Sequence, residues 1–254
     1  MNKIDFLKFR EYSKLEKYKK KLYNTQKNIE KTLLEFSNPY VSYSTGKDSL
    51  TLLMLCKKIK EDISIMFHDS GLELPESYLI IQKLLQEGYK IDVVKSPIDI
   101  LENFQKHNTF EIGGYDSDKA FNEAMKKPII KYQEENKKDI AIIGIRALES
   151  KIRRMMIGKY GNLFFAKTWN IYHFFPLAYW TVFDIFAYIT SNDLLDLLHP
   201  AYSKTNFDEI EKIRISWYCD PTVLTHGNIT WLKYYYPELF NKLCKISPEI
   251  KNYI

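Results

Sequence analysis

YSTGKDSL, residues 43–50, follows the apolar run PYVS and opens the helix-patterned run DSLTLLMLCKKI. A glycine turn between a strand and a helix sets successive backbone N–H groups around a concavity, and the helix N-terminus adds positive potential, so the stretch suits a phosphate. The common phosphate loop reads G-x-x-x-x-G-K-[ST], with its hydroxyl on Mg²⁺. Here Asp48 takes the hydroxyl position and the first glycine is absent. The alternatives are an ordinary N-cap turn and a phosphate loop of another kind. In the second case Ser44, Lys47 and Ser49 add donors or charge, and Asp48 holds Mg²⁺ or caps the helix.

Outward from this loop, strand and helix patterns alternate. ISIMFHD (63–69) reads as a buried strand, PESYLIIQKLLQEG (75–88) as a helix with Pro in its first turn and Gly at its end, and YKIDVVK (89–95) as a third strand. DIAIIGIR (139–146) is the clearest core strand, after a loop at 107–119 and a helix at about 119–135. A helix starts near Leu148, another near Thr181, and the chain is helical again after Asn228. The alternation predicts an α/β fold, a parallel sheet with helices on both faces, plus helical N- and C-terminal additions. The expected organisation is a basic helical arm at 1–37, a nucleotide-binding domain at 38–200 and a mostly helical extension at 201–254.

Two further strand ends carry chemistry. Asp69, Ser70 and Gly71 follow the second strand, at the carboxyl edge where open α/β sheets place ligands. Gly144 and Arg146 end the 139–146 strand, with Glu149, Arg153 and Arg154 close behind; cations at that edge suit a polyphosphate.

The chain has 254 residues, 45% of them hydrophobic, enough for one large domain with appendages. No apolar run approaches the ~20 residues of a membrane span, and the N-terminus has no signal-peptide pattern. Cys56, Cys219 and Cys244 form no C-x-x-C pair, so neither a disulfide framework nor a zinc site is expected. These features lead to the expectation of a cytoplasmic protein that uses no membrane. Net charge is +5, and residues 1–31 hold ten Lys/Arg against four acids. Lys17, Lys19, Lys20 and Lys21 are the densest cluster. They read as a nucleic-acid backbone contact or, more simply, as a solvated helix face.

The motifs together resemble the phosphoadenosine phosphosulfate reductase branch of the PP-loop ATP pyrophosphatases, an adenine nucleotide alpha hydrolase-like group. Ser44-Thr45-Gly46-Lys47-Asp48-Ser49 matches the family's S-G-G-K-D-S, and Asp69-Ser70-Gly71-Leu72-Glu73-Leu74-Pro75-Glu76 its D-T-G-x-E-x-P-E. Gly144, Arg146, Glu149, Ser150 and Arg153 match G-x-R-x-x-E-S-x-x-R. Pro176-Leu177 through Ile189 and the His199–Tyr202 segment match two later motifs, so the resemblance spans about residues 38–225. It implies a loop that grips the β- and γ-phosphates of ATP as a pyrophosphate unit while a nucleophile attacks the α-phosphorus. Lys47, Asp48 and Arg146 would then be catalytic, with Asp48 holding Mg²⁺. ATP would contact Ser42, Tyr43, Ser44, Thr45, Gly46 and Ser49 of the loop, Asp69, Ser70 and Gly71 of the second strand end, and Gly144, Glu149 and Arg153 of the later one. The resemblance further implies an adenylated second substrate within sulfur modification of nucleic acid (DNA phosphorothioation), with a cysteine desulfurase as partner. Thr45 replaces a family glycine, and a β-branched residue disfavours positive φ.

Two departures narrow the branch. Cys244 lies in NKLCKIS and not in the reductase motif E-C-G-[IL]-H, which counts against sulfonucleotide reduction. Ser216 stands where phosphorothioation relatives carry the first Cys of a cluster motif, so no iron–sulfur cluster is expected; Cys219 reads as a structural thiol. The competing readings are a reductase-like enzyme and a nucleotide-binding subunit without turnover. His68, at a strand end, is the histidine worth testing.

Overall fold

The computed structural model describes residues 3–107, 117–205, 210, 211, 213–216 and 229–253. Six strands form one sheet in the order β3-β2-β1-β4-β6-β5. They are β1 (Pro39–Ser42), β2 (Ser64–Asp69), β3 (Ile91–Lys95), β4 (Ile140–Ile143), β5 (Leu163–Ala166) and β6 (Ile171–Phe174). All neighbours are parallel except the β5–β6 pair, a short antiparallel hairpin at one edge. The sequence pattern predicts no β5 and leaves β6 open as strand or loop. Four residues carry little periodicity, and the turn that pairs them depends on Asn170 at φ 53°, a conformation that asparagine tolerates.

The chain leaves β1 toward β2 and β3, then returns to place β4 on the other side of β1. Ser42 pairs with Ile143 at the carboxyl ends of these two strands. That reversal of strand order opens a crevice where ligands of such sheets bind.

One face of the sheet, Val41, Ile65, Phe67, Ile140 and Ile142, packs on α3 (Lys47–Ile59), α4 (Pro75–Gln86) and α9 (Val182–Ser191). Leu50 through Cys56 of α3 are all buried, because the helix lies between the sheet and α2 (Glu16–Glu35). A helix with apolar residues all round has no other stable place. The opposite face, with Tyr40, Met66 and Ala141, is covered by α7 (Lys127–Glu135). A five-residue π turn (Asn122–Lys126) joins α7 to α6 (Ser117–Phe121).

The basic N-terminal segment does not stand off as an arm. Phe9 of α1 (Lys3–Ser13) stacks on Phe186 with ring centroids 5.2 Å apart, and Trp180 Nε1 donates to Thr25 Oγ1 of α2 at 2.9 Å. Phe9, Tyr18 and Ile29 of these helices are buried on the body, while Leu7, Tyr23 and Leu34 share the solvent side with the charged residues. At the other end, α10 (Ile229–Tyr235) and α11 (Pro237–Ile246) bury Leu232, Phe240 and Leu243 in one cluster with Phe9, Phe104 and Tyr202. α5 (Ile100–Lys106) contributes Phe104, and α8 (Lys151–Tyr160) follows a 3₁₀ turn at Ala147–Glu149. Among the described residues, no helix is long and apolar enough to cross a membrane.

Candidate functional site

The loop at 43–46 leaves β1 and turns directly into α3, with Gly46 at the N-cap. Thr45 adopts φ 58°, the left-handed conformation that a β-branched residue disfavours. A threonine thus holds a left-handed backbone at the position where the matching motif has glycine. A relay of hydrogen bonds holds it there. Ala201 N–H donates to His199 Nδ1 at 3.1 Å, so neutral His199 carries its proton on Nε2 and meets Ser77 Oγ at 3.2 Å. Ser77 Oγ lies 2.9 Å from Thr45 Oγ1, which donates to the Ser44 carbonyl at 2.7 Å. Burial lowers the His199 pKa to about 4, so the imidazole stays neutral and the relay keeps its direction.

The start of α3 is braced from two other sides. Tyr202 OH accepts from Lys47 N at 3.1 Å, and a Cβ on Gly46 would stand 3.4 Å from that hydroxyl. A Cβ on Gly144 would meet the Asp48 carbonyl carbon and Ser49 N at 3.1 Å. Glycine at the end of β4 therefore allows the helix N-terminus to close on the neighbouring strand.

This close approach brings four charges together. Asp48 Oδ2 lies 2.6 Å from Lys47 Nζ and Oδ1 2.6 Å from Arg146 Nε. Arg146 Nη2 donates to Glu211 Oε1 and Oε2 at 2.8 and 2.6 Å, and Lys47 Nζ is 3.4 Å from Glu211 Oε2. Arg146 is wholly buried and Lys47 nearly so. Burial works against each charge, but Asp48 and Glu211 hold Lys47 and Arg146 firmly protonated. Burial likewise opposes the Asp48 charge, while Lys47 and Arg146 keep its carboxyl below the usual range. Arg146 is aimed by its own backbone: its N–H donates to Glu149 Oε2 at 2.8 Å, and the same carboxylate pairs with Arg153.

A cavity of about 480 Å³ opens over the β1 and β4 ends. Ser42, Tyr43, Ser44 and Gly46 line it, as do Lys47, Asp48 and Ser49, and across the crevice Gly144, Glu149 and Arg153. Arg146 stands behind this lining and reaches it through Asp48 and Glu211. Thr45 turns away toward Ser77, so its part is to shape the loop. Asp69, Ser70 and Gly71 are not among the lining residues. Asp69 Oδ1 instead accepts from Gly71 N at 2.9 Å and Tyr78 OH at 2.8 Å and so closes the turn after β2, while Ser70 Oγ donates to Glu73 Oε1 at 2.7 Å.

Among the lining residues that the sequence reading did not assign to the site are Glu73, Glu211 and Tyr202. Burial raises the Glu73 carboxyl to about 7, partly offset by Ser70, and its Oε2 has no partner among the described residues. His68 also borders the cavity; its Nε2–H donates to the Ala124 carbonyl on the π turn at 2.9 Å, and burial lowers its pKa. Tyr202 had a signal in the His199–Tyr202 match, and Glu73 had its place beside the strand-end motif. Glu211 had none.

The four clustered lysines of α2, Lys17, Lys19, Lys20 and Lys21, separate. Lys21 Nζ is bound to Asp184 Oδ2 at 2.6 Å, and Lys19 pairs with Glu16 at 2.8 Å on the surface. Lys17, Lys19 and Lys20 are exposed. Cys244 is buried in α11, where burial raises its thiol pKa, and Cys56 is buried in α3. Trp217 and Cys219 lie outside the described residues, as does most of the loop expected at 107–119. Among the described residues no group of three or more His, Cys, Asp or Glu gathers as a metal site.

Fold, loop and charge cluster define a nucleotide-type α/β site. Residues 38–205 match the family model of the phosphoadenosine phosphosulfate reductase domain, so the chain belongs to that family. An uncharacterized protein of Methanocaldococcus jannaschii is 27% identical over 243 residues, which cover 91% of this chain and 56% of the relative. The chain thus spans about half the length of that relative. Two solved structures share the fold. The phosphoadenylyl-sulfate reductase of Candida auris, in a phosphate complex, aligns with a TM-score of 0.51 at 22% identity, covering 68% of this chain and 84% of that one. The NH₃-dependent NAD synthetase of Campylobacter jejuni aligns with a TM-score of 0.51 at 14% identity, over 92% of this chain and 96% of that one. The α/β fold expected from the sequence is thus shared with both of these structures.

Proposed function

We propose that the protein binds ATP at the crevice between β1 and β4 and cleaves it between the α- and β-phosphates, transferring the adenylyl group to a second substrate. The observation that carries this reading is the convergence of Lys47 and Arg146 on one carboxylate, each 2.6 Å from Asp48, at the adjoining ends of two parallel strands. Fixed, buried cations stabilise charge that develops on a departing pyrophosphate and need no reorganisation to do so. Ser44 and Gly46 of the loop and Lys47, Asp48 and Ser49 at the α3 N-terminus line the same space. A bound Mg²⁺ would supply charge neutralisation on the phosphates. Asp48 fits it as a hard oxygen ligand, because Mg²⁺ commonly takes one or two carboxylates and fills its other positions with phosphate oxygens and water.

Within this reading the acceptor is a nucleic-acid phosphate oxygen, the pathway is sulfur modification of DNA, and sulfur comes from a cysteine desulfurase partner. The support is the exposed Lys17, Lys19 and Lys20 on α2 together with the family likeness. Cys244 is packed in the core, an arrangement that favours adenylation over reduction as the chemistry of this chain. Incubation with α-labelled ATP, Mg²⁺ and DNA tests the reading: label in AMP or on DNA supports it, and label recovered in ADP rejects it.

A further inference from the structure

The anion held by Arg146 belongs to the protein itself. Arg146 Nη2 donates to both oxygens of Glu211, at 2.8 and 2.6 Å, and Lys47 Nζ lies 3.4 Å from one of them. A guanidinium holding two oxygens in this way accepts a carboxylate or a phosphate with similar geometry. Glu211 differs from Asp48 in how it is held. Asp48 sits in the first turn of α3, where its position follows from the loop. Glu211 comes from the C-terminal part of the chain, and its neighbours Ile210, Ile213 and Ile215 are buried in the apolar cluster that holds Phe104, Leu232 and Phe240. Those anchors do not depend on the ion pair. The Glu211 side chain is 36% exposed, against 13% for Asp48, so its carboxylate has a route to water that Asp48 lacks.

Charge leads the same way. Lys47 and Arg146 carry two positive charges and Asp48 and Glu211 two negative ones, so the cluster as it stands is neutral. A neutral cluster exerts little pull on a polyphosphate. Withdrawal of Glu211 leaves one net positive charge and frees Nη2 of Arg146, while Nε stays on Asp48 and the flanking isoleucines stay in place.

We propose that Glu211 is a built-in stand-in for a phosphate group: its carboxylate occupies Arg146 and Lys47 until a polyphosphate displaces it, and it returns as pyrophosphate leaves. The inference rests on the reading of this cleft as a polyphosphate site. It makes Glu211 a determinant of selectivity. An entering ligand has to compete with a bidentate carboxylate, which favours polyphosphates over singly charged anions and hastens release of the product.

Calorimetric titration with inorganic pyrophosphate, in EDTA and again with Mg²⁺, tests this without requiring turnover. Glu211→Gln is expected to bind about tenfold tighter than the wild type in both conditions, which corresponds to about 1.4 kcal/mol. Glu211→Asp, one methylene shorter, is expected to shift in the same direction by less and keeps the test open should the Gln variant fold poorly. Unchanged or weaker binding in folded variants overturns the inference, and weakening confined to Mg²⁺ makes Glu211 a cation ligand instead. If neither wild type nor variants bind pyrophosphate, the polyphosphate reading falls and the role of Glu211 with it. If the wild type binds and the variants bind no tighter, only the role of Glu211 falls.

Discussion

Two sets of cations show how differently one charge behaves in two places. Lys47 and Arg146 are buried at the ends of β1 and β4, with two carboxylates within reach. Lys17, Lys19 and Lys20 stand on the outer face of α2 in water, although they form the densest basic run in the sequence. Lys21, next in the same run, behaves like the first set, because its ammonium ends on Asp184, a wholly buried carboxylate. Local density of charge therefore says little. What separates the groups is whether the fold removes water from them and brings a counter-charge from elsewhere in the chain. The carboxylate partners of the Arg146 and Lys21 side chains come from 65 to 163 residues away.

The largest effect is expected at Arg146. Arg146→Ala leaves Asp48 buried beside Lys47 with one of its two cations gone, and removing one partner of a buried pair costs about 3 kcal/mol or more. Urea denaturation should register that loss, and pyrophosphate release from ATP should fall to background. A variant that keeps wild-type stability and turnover would place Arg146 with the surface lysines.

Lys21→Ala should cost about 2 kcal/mol, since Asp184 loses a charged donor in a buried site. Replacing Lys17, Lys19 and Lys20 together by alanine should change stability by no more than about 0.5 kcal/mol each. If those three neutralise phosphates of a nucleic-acid backbone, the log–log salt slope of duplex binding flattens by about 0.9 for each phosphate no longer neutralised. An unchanged slope removes them from the interface, and a stable Lys21→Ala variant removes the distinction drawn within α2.

Loop geometry gives the next effect. Thr45→Val keeps the unfavourable φ and deletes the hydroxyl that joins Ser77 to the Ser44 carbonyl, at an expected cost of about 2 kcal/mol. Thr45→Gly also loses the hydroxyl but relieves about 1 kcal/mol of left-handed strain, so it should be the milder of the two in urea denaturation. The reverse order would mean that the hydroxyl relay does not hold the loop.

The smallest effect is a change of slope with pH. Burial lowers His173 and His199 to about 4 from an ordinary 6.5, so the unfolded chain binds more protons between those values and stability rises with pH across the window. Glu73 has the opposite sign: its carboxyl is raised from 4.5 to about 7, so its contribution is full below 4.5 and is lost as pH rises toward 7. Glu73→Gln should therefore make the rise in urea midpoint between about pH 4.5 and 6.5 steeper. An unchanged slope would show that Glu73 is not held protonated.

The parts of the site legible in the sequence are local ones. A strand, a glycine loop and a helix in succession specify the 43–50 turn, and the cations after β4 follow a strong apolar run. The C-terminal charge partner was not legible. Glu211 lies in DEIEKI, where nothing distinguishes one acid from the next, and only the tertiary fold brings it to Arg146. The same limit explains Asp69: at the end of a parallel strand it reads as a ligand group, yet its carboxylate closes the local turn through Gly71 and Tyr78. The basic run of α2 reads as a nucleic-acid contact or a solvated helix face, and composition cannot show that Phe9, Tyr18 and Ile29 anchor α1 and α2 on the body.

The central claim is that the buried pair, Lys47 and Arg146, serves departure of pyrophosphate from the α-phosphorus. Its most direct test is the identity of the phosphorus products formed from ATP and Mg²⁺, resolved by ³¹P NMR for the wild type and Asp48→Asn with the candidate acceptor present. The account predicts pyrophosphate, with AMP free or on the acceptor, from the wild type and neither from the variant; ADP with orthophosphate, or equal pyrophosphate from both proteins, would contradict it.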